Sequence, residues 1–493
     1  MNRISQPVIG VTLAVSLALS ASAYGQSLQG AAKALNVAGT KSIEVSGTGK
    51  WFQFGQAPND KSPWPQFDVS RFVTDINFET PAARVQIARS QTVEPGRSRP
   101  APVEQKVDQY VSASYAWNIP VATSATPNAA TTPSAQPAVL EERNAEIWAT
   151  PQGFLKAAGA NAATTRSVTG GIEVSFAVGG KYRYLGIING KNQVERVQTW
   201  IDSPVLGDTL VETRFSEYKD FGGIQFPAHI VRNLGGYPIL DIKVAEVKLN
   251  PEVDIAVPPE VANAKPPVVT VAVNKLAEGV FYLTGGTHHS VAIEQRDHIV
   301  LIEAPQNEAR SQALIAKLKE IIPNKPIKFV VNTHAHFDHS GGLRTFVDEG
   351  ATIVTEQANR DYYEKIWAAP HTLNPDQLAK SKKVARFDVY TGKHVLSDGN
   401  RAIEIFSIAG SGHNDAFDLV YLPGEKLLVE ADAYTPTAAN APPPTSVNPY
   451  SANLYENIQK LHLDVNQIAA LHGPRLVTLA DLRTVIAVNT AAK

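Results

Sequence analysis

Three histidines and an aspartate, His334, His336, Asp338 and His339, fall within six residues of the stretch Val331-Asn332-Thr333-His334-Ala335-His336-Phe337-Asp338-His339-Ser340-Gly341-Gly342. Imidazole and carboxylate at this density are metal-ligand chemistry. An HxHxDH string arises by chance in roughly one chain in three thousand of this composition, which separates it from a lone surface histidine or an isolated HxH. The apolar run 327–331 predicts a buried strand, and Gly341-Gly342 followed by Leu343, Phe346 and Val347 predicts a turn into a short helix. The ligands therefore belong at a strand's C-terminal end. In extended backbone, side chains two apart point the same way, so His334 and His336 can share one metal. Asp338 and His339 fall where the chain turns and diverge toward a second. The chemistry this predicts is that of a two-metal hydrolase.

The motif resembles that of the metallo-β-lactamase fold superfamily, and the resemblance covers about residues 266–493. It implies three further ligands in a fixed order. His413 follows Gly410-Ser411-Gly412 after the apolar run 403–409, Asp432 follows the run 426–431, and His472 stands before Gly473 after the run 468–471. One departure is Ala431, where the family usually has Gly before the aspartate; Ala tolerates fewer backbone conformations. The resemblance assigns His334, His336 and His413 to one metal and Asp338, His339 and His472 to the other, with Asp432 bridging. Nitrogen and carboxylate ligands without sulfur suit two Zn²⁺ ions, although iron or manganese fits the same set.

Two divalent ions about 3.5–4 Å apart lower the pKa of a shared water toward ~7, making hydroxide available to attack a carbonyl. Asp338 is the catalytic candidate that orients this water or carries a proton. Ester, thioester, lactone and amide bonds all fit. A bridging Asp432 resembles glyoxalase-II-like and lactonase-like members more than the cysteine-free β-lactamases, which resemblance suggests lack it. Three alternatives stand beside the hydrolase: a β-lactamase, toward which export pulls, a mononuclear-iron persulfide dioxygenase, and a non-catalytic ligand binder. The full ligand set favours the hydrolase over the last two.

His288 and His289 lie in Gly285-Gly286-Thr287-His288-His289-Ser290, where the family places a loop beside its metal pocket, and are candidate substrate contacts. His298, His371, His394 and His462 have no ligand spacing. Loops over 362–383 and 436–450 fall where they can overhang a pocket and select substrate.

The elements that position these residues occupy a chain of 493 residues, 43% apolar and 19% charged, enough for more than one domain. A net charge of −2 gives no electrostatic argument for nucleic acid or an anionic membrane as partner, leaving a small-molecule substrate. Residues 1–23 carry Arg3, an apolar stretch over 8–19 and Ala21-Ser22-Ala23, the parts of a secretory signal cleaved after Ala23 or Gly25. That apolar run is shorter than the ~20 residues a membrane span needs. An exported, periplasmic protein is expected. There is no cysteine, so neither a disulfide, a lipid-modified Cys anchor nor a thiolate ligand can exist.

Between Gln26 and Pro267 the only histidine is His229. Residues 26–250 predict a β-rich domain with a helix over 28–37, a Pro/Ala/Ser/Thr-rich loop near 95–137 that is flexible over 122–138, and hairpins over 170–247. Residues 215–247 weakly resemble the closing part of a periplasmic lipoprotein-carrier-like half-barrel, which implies an apolar-ligand or partner-binding module; a packing accessory is the plainer reading. Pro251, Pro258, Pro259, Pro266 and Pro267 mark a linker over 251–267. Beyond it, strands are expected over 268–273, 280–284, 291–295 and 298–303, then a helix to Pro323. The expected fold class is α/β: a mainly antiparallel β domain followed, over 268–493, by the four-layer αββα sandwich that the resemblance implies. With its own hairpins and no ligands, the N-terminal half is expected to build its own core and leave the metal site complete without it.

Overall fold

The computed structural model describes residues 27–124, 126–266, 268–441, 444 and 446–487; the expected leader over 1–23 lies outside them. No helix among the described residues is long and apolar enough to cross a membrane.

Buried and less buried positions alternate along Gly171–Val178 and Val194–Ser203, as in strands covered on one face. These belong to a 13-stranded antiparallel sheet. Near its middle Ser42–Phe52 pairs on one side with Gln66–Asn77 and on the other with Tyr237–Leu249, so the first and last strands meet there and two meanders run outward. Two helices between the meanders, Leu140–Trp148 and Pro151–Ala160, cover one face. Ile147 packs among Ile43, Phe226 and Ile242, and Phe154 among Val174, Tyr184 and Phe215. The second helix starts where Thr150 caps Gly153 N and Pro151 opens the first turn. A cavity of about 230 Å³ remains between sheet and helices, lined by Trp51, Phe72, Phe226 and Leu240.

The stretch over 122–138 is more ordered at its end than its composition suggests. Ser134–Ala135 adds an edge strand beside Tyr115–Asn118, and Pro137–Val139 forms a 3-10 turn leading into the helix. The proline-marked segment after the sheet also stays on it. Ser42 Oγ donates to Pro251 O (2.6 Å) and Asn77 Nδ2 to Val253 O (3.0 Å), while Val261 is buried.

In the C-terminal half, a seven-stranded sheet begins at Ala272 rather than at 268, since Val268 is exposed with nothing to cover it. Its last four strands, Ile299–Ile302, Ile327–Val331, Thr352–Glu356 and Arg386–Tyr390, are parallel. A six-stranded sheet runs from Lys393–Ser397 to Val477–Thr478. Val291, Val300, Val331 and Val354 of the first sheet pack against Ile403, Ile405, Val420 and Val429 of the second. Outside the first sheet lies Glu308–Ile321, capped by Asn307 and burying Leu314 and Leu318; outside the second lie Pro449–Lys460 and Leu479–Ile486. This is the four-layer αββα order the sequence predicts.

The two halves also share contacts that the expected independence does not anticipate. The turn between Val194–Ser203 and Gly207–Asp220 inserts Val205 into the core that contains Leu314, Phe346 and Tyr363. Asp208 Oδ1 accepts from Thr372 N (2.8 Å) and Leu373 N (2.9 Å). A lack of ligand residues says nothing about where a segment's carbonyls, amides and apolar tips are satisfied.

Candidate metal centre

Four strand ends from both inner sheets converge on one edge. Beyond Ile327–Val331 the chain leaves the sheet and presents His334 and His336, then a single helical turn, Phe337–Ser340, displays Asp338 and His339. His413 lies in the turn after Ala402–Ser407, Asp432 two residues past Leu427–Glu430, and His472 two past Gln467–Ala470. Ala431 is fully buried beside the second sheet and is not among the described residues with positive φ, so no glycine is needed before Asp432.

Asp432 sits at the centre. Its Oδ2 is 3.0 Å from His339 Nε2, 3.0 Å from His413 Nε2 and 3.5 Å from His334 Nε2, and its Oδ1 is 2.9 Å from His472 Nδ1. Donor atoms of His334, His336, His413 and Asp432 lie within 4.8 Å of one another, as do those of Asp338, His339 and Asp432.

The residues fit divalent metal by a direct test. His334 Nε2, His336 Nδ1, His339 Nε2 and His413 Nε2 are buried without an aligned hydrogen-bond partner, a costly state for polar atoms unless another group binds them. For three of these rings the opposite nitrogen is held. His334 Nδ1 is 3.1 Å from Thr333 Oγ1, His336 Nε2 is 3.1 Å from Ala57 O, and His339 Nδ1 is 3.2 Å from Glu303 Oε2. Donation to these oxygens leaves a lone pair on the inward nitrogen of a neutral ring, the tautomer that ligation requires.

Electrostatics divides the group. Burial pushes the His334 imidazolium down to about 4 and His336 well below the ordinary histidine range, so both rings are neutral at neutral pH. Burial opposes ionisation of Asp432, but His339, His334 and His413 outweigh it and hold the carboxyl well below its usual value. Burial likewise opposes charge on His339, yet Asp432 and Glu303 on either side raise it. Asp338 is held ionised against burial by His288 and His339. Its Oδ1 accepts from Gln56 Nε2 (2.8 Å) and its Oδ2 lies 3.2 Å from His288 Nε2.

Several of these partners escape sequence reasoning. Glu303 is fully buried and accepts from Asn332 Nδ2, Thr333 N and Thr333 Oγ1 besides His339; a carboxylate closing the apolar strand 298–303 was its one signal. The loop after Ser42–Phe52 gave none, yet it reaches the centre. Gly55 O accepts from Phe337 N, Ala57 O from Asn414 Nδ2, and Pro58 O from Asp415 N. A second N-terminal loop brings Arg97 Nη2 to Asp415 Oδ1 (2.8 Å) and lays the Ser98 carbonyl against Gly412, where any Cβ would run into it.

Of the two candidate substrate contacts, His288 is nearly buried among the second group of ligands, stacked on His472. His289 turns its Nε2 to Gly473 O (2.6 Å) and is almost fully covered. His298 pairs with Asp297, His394 with Asp388, and His371 packs on Gly207; none joins the centre. Tyr362, from the 362–383 stretch, lines an interdomain cavity of about 260 Å³ with Trp64, Tyr237 and Phe337. At the other loop's end, Tyr450 stands edge-on to His413 at 5.3 Å.

Residues 283–438 match the metallo-beta-lactamase superfamily, a span running from before His288 to beyond Asp432. The C-terminal half is therefore a domain of that superfamily, and membership together with the His/Asp cluster supports a metal-dependent hydrolase as its class. Similar solved structures include a metallo-beta-lactamase from Pontibacter korlensis, 18% identical with a TM-score of 0.33, covering 44% of this chain and 98% of that one. The metallo-beta-lactamase FIM-1 from Pseudomonas aeruginosa, in its mono-zinc form, is 18% identical with a TM-score of 0.34, covering 46% and 99%. A metallo beta lactamase from Hirschia baltica is 19% identical with a TM-score of 0.32, covering 44% and 96%. No curated protein matches the chain.

Proposed function

We propose that the protein is an exported hydrolase that uses two divalent metals, zinc by its donor set, to cleave an ester, thioester, lactone or amide bond of a small molecule. The observation that carries this reading is the set of four buried imidazole nitrogens, none in an aligned hydrogen bond, gathered around the Asp432 carboxylate. His334, His336 and His413 would hold one ion and Asp338, His339 and His472 the other, with Asp432 between. When bound, such ions supply Lewis acidity and acidify a shared water toward pKa ~7. The chain's own residues do the rest. Asp338, clamped through both oxygens by Gln56 and His288, is fixed where it can take a proton from the attacking water. Thr333, Ala57 and Glu303 hold the imidazoles in ligating tautomers.

The reach of Asp432 Oδ2 to three imidazoles supports a bridging carboxylate, which favours ester, thioester or lactone cleavage over the β-lactamase alternative. The test is metal content by mass spectrometry, with turnover of a 4-nitrophenyl ester, a thioester, a lactone and a chromogenic cephalosporin before and after chelation. About two zincs per chain, with chelator-sensitive ester, thioester or lactone hydrolysis, is expected. One iron with no second metal at saturating zinc, and oxygen uptake on a persulfide, would replace this reading with the dioxygenase.

A further inference from the structure

Beside Asp338 the structure holds one more imidazole than the superfamily ligand set accounts for. His288 is 8% exposed, with its Nε2 3.2 Å from Asp338 Oδ2, its ring stacked on His472 at 4.1 Å and edge-on to His339 at 5.0 Å. His288, His339 and His472 each offer a nitrogen within 4.8 Å of the other two, the same closeness as the group around the first metal.

The backbone makes this placement rigid. Residue 288 forms an antiparallel bridge with residue 472, and His289 N donates to Leu471 O (2.7 Å), so the segment entering Ser290–Glu294 is clamped to the one that carries His472. The far side of the ring is also held, since Nδ1 lies 2.9 Å from Thr287 Oγ1. Without metal, Nε2–H donates to Asp338 Oδ2; with the proton moved to Nδ1 and donated to that hydroxyl, Nε2 would be free to bind a metal held among Asp338, His339 and His472.

We propose that His288 is a ligand of the second metal, its Nε2 joining a ring nitrogen of each of His339 and His472 and a carboxylate oxygen of Asp338. The proposal rests on the dinuclear reading above. A substrate contact would need an exposed ring, and His288 is covered; a hydrogen bond to Asp338 alone would not need two further imidazoles at ligand spacing. With Asp432 shared, the second metal has five protein donors, more than the three usual at an open zinc position. The first metal, with four, would be the less filled of the pair.

The test uses the full chain loaded with zinc. A crystal structure should place His288 Nε2 about 2.0–2.1 Å from the second zinc. Two zincs with Nε2 still donating to Asp338 and off the metal would overturn the proposal while leaving the dinuclear reading in place. A single metal at saturating zinc would overturn the dinuclear reading itself, and this proposal with it. In His288→Ala the second zinc should bind at least ~10-fold more weakly while the first is unchanged. X-ray absorption at the zinc edge should lose about one half of an imidazole per zinc when both sites are filled. An unchanged imidazole count in that variant contradicts ligation even if affinity falls, because a residue that only positions Asp338 does not alter the count.

Discussion

The Gln56 side-chain amide donates to Asp338 Oδ1 over 2.8 Å, joining a loop of the N-terminal sheet to a candidate metal ligand 282 positions away. Removing it in Gln56→Ala frees one oxygen of Asp338 without touching a ligand. Metal affinity should fall ~10-fold, the lower end of what partners of ligands contribute. Competition with a chromogenic chelator measures this, and an affinity equal to that of the parent chain would show that the contact positions nothing.

A chain beginning near Lys265 loses Gln56, the Ala57 carbonyl that holds His336, and the Val205 side chain that fills the C-terminal core. It should be poorly soluble or metal-poor, in contrast to the independence expected from sequence. A soluble truncated chain with both metals at parental affinity would restore that independence.

Glu303 takes four hydrogen bonds from donors only, with no solvent to replace them. In Glu303→Gln an amide NH₂ faces one or two of those donors. A loss of about 2 kcal/mol in stability and weaker metal binding are expected, read by denaturant titration of the metal-free chain and chelator competition. A variant equal to the parent in both would make Glu303 incidental.

Asp338→Ala should abolish turnover with the fold retained, because Asp338 serves both a metal and the attacking water. His371→Ala should keep turnover. Its ring is buried against Gly207, so the cost appears instead as ~1 to 2 kcal/mol of stability from the space left behind. Equal losses of activity in the two variants would mean that ligands and bystanders have been wrongly separated.

Burial pushes the Asp418 carboxyl up to about 7, even with Tyr390 and Ser407 hydroxyls donating to it. Unfolded, it titrates near ~4, so the folded chain holds this proton more tightly. Its contribution to stability is full below pH ~4 and is lost as pH rises through 7, with a slope of at most about 1.4 kcal/mol per pH unit. Asp418→Asn should flatten that part of the melting-temperature profile. A profile unchanged from the parent would assign the dependence to other groups.

What could be read beforehand follows from where chemistry is written. Ligation uses side chains, and four of the ligand candidates lie in one local string at the end of an apolar run, so His334 to His339 stand out unaided; His413, Asp432 and His472 needed the family order. The αββα layers were legible for a related reason, since helical spacing up to Pro323 marks a helix with one buried face and short, wholly apolar runs mark strands covered on both. The contribution of the N-terminal half was not. Gly55, Ala57 and Pro58 act through backbone carbonyls, which every residue type carries, and Gln56 through an amide with no distinctive spacing. His288 was visible as a residue but not as a neighbour of His472, because their bridge joins segments remote in sequence.

Gly412 lies against the Ser98 carbonyl of the N-terminal half, in a space with no room for a β-carbon. The glycine before His413 is thus a lock cut to another domain's key. A side chain at 412 could be accommodated only by displacing the Ser98 loop beside the ligand candidate His413. A chimaera that exchanges either half therefore has to keep residue 412 bare or move the loop that carries Ser98.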